Sequence, residues 1–338
     1  MRLDKVKKVD YVEEEHGAFY NYLYTFKTYF LTITSANFLF AVFNIPMMLV
    51  AAFLVVAFLP LANPVFIPEN FVAALEELGI AGNESINDVG AGAADQLYFI
   101  IVVFAVMFFV GSTLLSIGPF QAGFAQIYRN LYRKESVFFF SDFKAGMTKN
   151  WKQSLAAMVV SIVGTVVMLF AIVFYHNQGT TFGTAISTLF VVMFLIFIIV
   201  QNFVFQQIVS IDIPLKKIYK NSILFFILKF GPCFGLIGVV IVFLLLIPFL
   251  LFISTTYFGY AVAVILYMTI LLGFVQYTLA YYGQSLIEEY IIPKTLAAEA
   301  EDDGEDADDD TDDSEDDSDV DSEDDEEEDS DDDIENDD

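Results

Sequence analysis

One cysteine, two histidines and one tryptophan in 338 residues leave little for catalysis to work with. Because Cys233 stands alone, no disulfide can close within the chain and no Cys/His dyad exists. No HExxH stretch and no glycine-rich phosphate loop is present. Lys and Arg are missing from three long stretches: between Lys27 and Arg129, between Lys152 and Lys216, and between Lys229 and Lys294. A net charge of −29 argues against nucleic acid as a partner. On these absences the chain reads as no enzyme, with no catalytic residue, metal ligand or cofactor to assign.

Apolar residues fill the gaps between the bases. They make up 56% of the chain, with 37 Phe among them, a usage foreign to soluble domains. About 20 apolar residues cross the roughly 30 Å of bilayer hydrocarbon. Spans are therefore expected at 38–59, 97–117, 155–175, 184–205, 233–254 and 260–280. All sixteen bases then fall on one side, which is the positive-inside pattern of a multi-pass protein with both termini cytoplasmic. In that topology His16 lies inside and His176 outside, so no metal site can use both. Residues 1–27 carry no apolar core of a cleavable signal, so the first span is expected to target the chain. The expected fold class is all-α, a polytopic membrane helical bundle of about six transmembrane helices with a disordered acidic C-terminal tail. The expected division is a cytosolic N-terminus and interfacial helix over 1–37, a membrane domain over 38–292 and a tail over 293–338.

The acidity belongs to that tail. Of the 45 acids, 29 lie at or beyond Glu299, and the other 16 equal the number of bases. Such a segment repels itself and has almost nothing to bury. The run 299–310 has a superficial likeness to a calcium loop, but Asp306 stands where an apolar residue belongs, and no calcium site is expected. A chain ending at Ala298 should insert and melt like the full chain. A thermal-shift comparison in detergent checks this, and a large drop in melting temperature would make the tail structural.

The connections at 176–182 and 255–259 are short enough for tight hairpins. The segment 60–95 is longer, opened by Pro60 and Pro64, and holds six acids and no base, which places it outside. It has room for one short helix at 71–78 and carries an Asn83-Glu84-Ser85 sequon. The apolar runs 17–37 and 118–132 are rich in Tyr and Phe and read as interfacial helices. Gly231 and Pro232 beside Cys233 suggest a helix bend. On the inner side, Ser141 can cap a helix with an apolar stripe of Phe143, Met147, Trp151 and Leu155, leaving Lys144, Lys149 and Lys152 off it. Asp212 and Pro214 can start a second, with Leu215, Ile218, Tyr219 and Ser222 on one face and Lys216, Lys217 and Lys220 turned away. Lys149-Asn150 and Lys220-Asn221 occupy matching places, consistent with a duplicated span–helix–span unit. The expected partner of such helices is membrane lipid, with another membrane or cytosolic protein as the competing reading.

Amides gather toward the cytosolic ends of the spans: Asn44, Gln121, Gln126, Gln201, Asn202, Gln206, Gln207, Gln276 and Gln284. No ionisable residue falls near a midplane, which argues against an ion-coupled transporter. Two readings of the amides stay open. They bond helix to helix, or Asn44, Gln121, Gln126, Asn202, Gln206 and Gln276 line an inward-facing polar vestibule for a small solute.

One block carries a likeness. Gly118-Pro119-Phe120-Gln121-Ala122-Gly123, Tyr128-Arg129-Asn130, Glu135, Ser141-Asp142-Phe143 and Lys149-Asn150-Trp151-Lys152-Gln153 resemble the signature of the YesL-like family of bacterial membrane proteins. Asn37-Phe38-Leu39-Phe40 with Asn44-Ile45-Pro46, and Asp212 with Lys220-Asn221, extend the resemblance over roughly 25–290. It implies an all-helical protein of a bacterial plasma membrane, of uncharacterised activity, encoded near carbohydrate-uptake and carbohydrate-degradation genes. The long segment 60–95 and the acidic tail depart from the family pattern. The resemblance makes Gly118, Pro119, Gly123, Arg129, Asn130, Ser141, Asp142, Phe143, Lys149, Asn150, Trp151 and Lys152 the candidate docking motif.

Overall fold

A computed structural model describes residues 17–77, 90–255 and 257–293. The sequon, His16, Lys294 and the acidic tail lie outside the described residues. The described residues fold as helices: α1 (Ala18–Thr28), α2 (Phe30–Phe43), α3 (Ile45–Ala62), α4 (Pro68–Glu77), α5 (Gly90–Gly111), α6 (Gly118–Tyr132), α7 (Phe139–Lys149), α8 (Trp151–His176), α9 (Thr181–Ser210), α10 (Leu215–Leu228), α11 (Phe230–Ile241), α12 (Ile247–Thr255), α13 (Tyr257–Leu266) and α14 (Leu272–Tyr290). Two π-helical turns, Val242–Leu246 and Tyr267–Leu271, join α11 to α12 and α13 to α14.

Six stretches are long and apolar enough to cross a bilayer: Ile45–Ala62, Ala94–Gly111, Trp151–His176, Thr181–Ser210, Phe230–Leu251 and Ala261–Tyr290. The chain is a multi-pass membrane bundle. Its spans keep much apolar surface outward, as lipid-facing helices do: Phe53, Val163, Val167 and Phe170 are all exposed. Arg129, Arg133 and Lys229 meet the ends of α9 and α14, called here the basic end. Arg129 reaches the Val209 carbonyl at the end of α9, and Lys229 bonds Glu289 at 2.9 Å at the end of α14. Thr180 starts α9 by accepting the Gly183 N–H at 3.0 Å. The turn before it is tight, with Gly179 in the left-handed region at φ +62°.

Three expectations about the basic end change. The run 118–132 is α6, and it is central rather than interfacial: Gln121 to Ala125, Ile127, Tyr128, Asn130 and Leu131 are all buried. Its modest hydropathy comes from small and amide residues, which suit close packing among α7, α8, α9 and α14. The run 17–37 is split at Tyr29, where α1 and α2 meet at 72°. α2 buries Ile33, Ala36, Asn37 and Phe40, so the part from 30 on belongs to the bundle core. The first span consequently begins at Ile45 rather than 38, after a break at Asn44.

Smaller corrections follow from where helices start. Phe138, not Ser141, is the N-cap of α7. Its N–H goes to the Asp142 carboxylate at 2.8 Å, while Ser141 sits exposed in the first turn. Asn150 ends α7, so Trp151 opens α8 and stands half exposed instead of extending the Phe143 stripe. Asn221 lies inside α10, well before its end at Lys229, so the proposed match with Lys149-Asn150 does not hold in space. Asp212 makes no side-chain cap, although α10 does bury Ile218 and Ser222 and expose Lys216, Lys217 and Lys220 as its periodicity requires. Gly231 and Pro232 fall in the first turn of α11 and mark its start, not a bend. The short helix is α4, whose Phe71 and Leu75 pack on Ala94, Leu97 and Tyr98.

Candidate functional site

The candidate motif resolves into a close-packed joint. A Cβ on Gly118 would lie 2.1 Å from the Ser154 carbonyl oxygen, one on Gly123 2.6 Å from the Phe143 ring, and one on Gly146 2.8 Å from the Ala122 carbonyl. Missing side chains thus let α6 touch α8 and α7 at backbone distance, the device by which membrane helices gain van der Waals contact. Pro119 sits at the second helical position, where its absent N–H costs nothing. Phe143 fills the space beside Gly123 and meets Phe43, Phe120 and Phe124, with ring centroids 5.5, 6.2 and 4.9 Å away. Asn150 folds back to the Gly146 carbonyl at 3.1 Å. Gly118, Pro119, Gly123, Phe143 and Asn150 therefore build the joint. Ser141, Trp151 and Lys152 stand exposed on its rim, and Lys152 lies 5.7 Å over the Trp151 ring.

Arg129 straps this joint to the end of α9, and Asn130 is held within α6. The Arg129 guanidinium donates to the Val209 carbonyl at 3.1 Å and to Gln126 Oε1 at 3.4 Å, and Gln126 donates to Asn130 at 2.9 Å. Burial and the neighbouring Arg133 push the Arg129 pKa down to about 10, against the pull of Glu135 and Glu288. The charge therefore persists at neutral pH. Arg133 meets Glu288 of α14 at 3.7 Å. A buried cation loses more to desolvation than an exposed one and is held by such partners.

The amides do not converge on one chamber. Asn44 accepts the Ile117 N–H at 2.8 Å and donates to the Phe40 carbonyl at 2.9 Å, tying the α2–α3 break to the start of α6. Asn202 donates to the Ser112 carbonyl at 3.0 Å and to Ile198. Gln206 accepts from Gln284 at 2.9 Å, and Gln284 also bonds Ser210. Gln201 spans from the Ala157 carbonyl to the Tyr219 hydroxyl, and Gln207 donates to Ser222 at 2.8 Å. Tyr219 titrates high, at about 12, chiefly because it is buried. Three amides keep unmet atoms: Gln121 Oε1, Gln207 Oε1 and both polar atoms of Gln276 are buried without a hydrogen-bond partner.

The chain matches no family model, no curated protein and no solved structure.

Sequence reasoning missed the junction in the apolar middle of the bundle. Asn37 of α2 donates to the Tyr267 carbonyl at 2.8 Å and accepts the Gly273 N–H, so it clasps the π-turn Tyr267–Leu271 from both sides. A π-turn shifts the helical ladder and leaves backbone groups that need a partner. The Tyr267 hydroxyl in turn donates to the Leu244 carbonyl inside the other π-turn. Gly146 and Gly273 were missed as well. A glycine inside a helical pattern was the available signal for both.

Proposed function

We propose that this chain is a non-enzymatic accessory component of a membrane assembly, presenting its basic end to a protein partner on the cytosolic side. The single observation that carries the reading is how the amides are spent. Of the six vestibule candidates, Asn44, Asn202 and Gln206 are engaged in hydrogen bonds that fix one helix segment to another, and Gln126 is engaged by Asn130 and Arg129 of its own helix. A bundle braced this way is a rigid support, and the exposed groups beside it are Trp151, Lys152, Lys216, Lys217 and Lys220. The positive-inside rule supports placing that end in the cytosol of a plasma membrane. The resemblance to the YesL-like family supports a tie to nutrient uptake, with carbohydrate as the substrate class.

Gln121 and Gln276 favour a second reading, a small-solute permease, because buried amide groups without partners suit a polar ligand. Flux into proteoliposomes separates the two. The purified protein should pass sugars no faster than empty vesicles, and specific saturable uptake would favour the permease. For the support itself, a photo-crosslinker at Trp151 in native membranes should capture one polypeptide, and Lys149→Ala with Lys152→Ala should weaken that capture without altering insertion. Adducts with lipid alone would return this rim to plain membrane anchoring.

A further inference from the structure

A groove of about 670 Å³ runs between α2, the first turn of α7 and the π-turn of the last span. Leu31, Phe38 and Leu39 of α2 form its floor and rim, Met268 and Thr269 close it on the span side, and Phe139 and Phe140 close it toward α7. Leu31, Phe38 and Phe140 are strongly exposed, so the groove opens sideways along the apolar surface of the bundle. Its volume is that of an ordinary ligand site.

Three features distinguish it from the general lipid-facing surface. It is concave, whereas the exposed valines of α8 lie along a single helix. Its walls also carry hydroxyls at Thr32, Thr34, Ser35 and Thr269. A helical threonine can return its hydroxyl to a carbonyl one turn back, as Thr278 does to Phe274 and, within the groove itself, Thr269 does to Ile265. Thr34 does not: its Oγ1 is buried without a partner. In an apolar environment an unmet hydroxyl has a real cost. Lastly, a base follows the groove's lining on α7. Lys144 is exposed and stands one turn after Phe140, on the same face of α7.

We propose that this groove is a binding site for one glycerophospholipid. An acyl chain lies along Leu31, Phe38 and Met268, the glycerol-ester oxygens accept from Thr34, and the phosphate sits at the α7 end near Lys144. The order of the lining fits an amphiphile of this kind: apolar at the span, hydroxyl-bearing along α2, aromatic and basic at α7. A free phosphate or a polar solute would leave the apolar floor unused.

The test uses the full chain, with phosphatidylglycerol as the probe. Native mass spectrometry after detergent extraction should show one tightly retained phosphatidylglycerol per wild-type chain. Ser35→Phe, which fills the groove from an exposed position, should abolish that retention. Thr34→Val should weaken it roughly threefold to tenfold, the worth of one hydrogen bond. Val163→Phe, on the exposed face of α8, should leave it unchanged. Equal retention by wild type and Ser35→Phe would overturn the site. A photo-crosslinker at Leu31 gives an independent reading that needs no groove-filling variant. A lipid adduct supports the proposal, and an adduct with a polypeptide, whether a second copy or another protein, overturns it.

Discussion

Gly118→Ala is expected to abolish the folded bundle in detergent. The new methyl would stand 2.1 Å from the Ser154 carbonyl oxygen and 3.0 Å from Met158 Cβ. The first obstacle is backbone, so no rotamer change relieves it and α6 must move away from α8. That movement would drag the neighbouring contacts with it: Gly123 on Phe143, Gly146 on Ala122, and the Asn44 bond to Ile117. Overpacking a well-filled core typically costs about 1–3 kcal/mol, and a clash against main chain belongs at or beyond the upper end. Size-exclusion profiles and melting curves of the purified variants measure it. Gly231→Ala, Gly235→Ala and Gly238→Ala on α11 are the controls, because a Cβ there meets nothing within 4 Å. They should stay within about 0.5 kcal/mol of wild type. If Gly118→Ala matched those controls, α6 would not pack as described.

The second large effect is expected from Asn37→Leu. A single hydrogen bond between membrane helices averages only about 0.6 kcal/mol, because the unfolded chain in the bilayer also finds partners. Asn37 is different in kind. Its amide serves both the Tyr267 carbonyl and the Gly273 N–H, and leucine would leave two buried main-chain groups without a partner. At about 1–3 kcal/mol for each unmet group, the loss should be several times that of an ordinary interhelical bond. Unfolding titrations in mixed micelles read it directly. Asn37→Asp should be nearly as damaging, since a carboxylate cannot donate to the Tyr267 carbonyl. A cost near that of one ordinary bond would mean that the last span keeps its π-turn without help from α2.

These two residues also show which parts of the fold were legible in the sequence. The six spans were, because crossing hydrocarbon demands a length of apolar chain that nothing else in the sequence imitates. The α10 face was too: Ile218 and Ser222 recur at helical spacing and are buried, while the lysines between them are not. α6 and α2 were misplaced at the membrane surface for one shared reason. Hydropathy records how polar a helix is but not what its polar groups touch. Gln121 and Asn130 made α6 look wet, although it is packed on several sides by other helices. The pairing of Asn37 with Tyr267 joins residues 230 positions apart, and the π-turns have no periodic signature. Among the candidate site residues, Gly118 and Gly123 were singled out as a signature and prove to be the contact points of the joint. Trp151 was assigned to the wrong helix because the break at Asn150 depends on a fold-back to Gly146 that spacing alone does not encode.

The central claim is that the amides at the basic end brace helices and are closed to water. Cysteine accessibility tests it most directly. In a Cys233→Ala background, Gln206→Cys, Gln276→Cys and Lys217→Cys are each treated with a membrane-impermeant maleimide added outside inverted vesicles, the side on which the proposed topology puts the basic end. Lys217→Cys should label rapidly, since that position is exposed on α10, whereas Gln206→Cys and Gln276→Cys should stay unlabelled because both positions are buried. Labelling of Gln206→Cys and Gln276→Cys at rates near that of Lys217→Cys would contradict the account, because it would open a water-filled vestibule where the structure places a braced core.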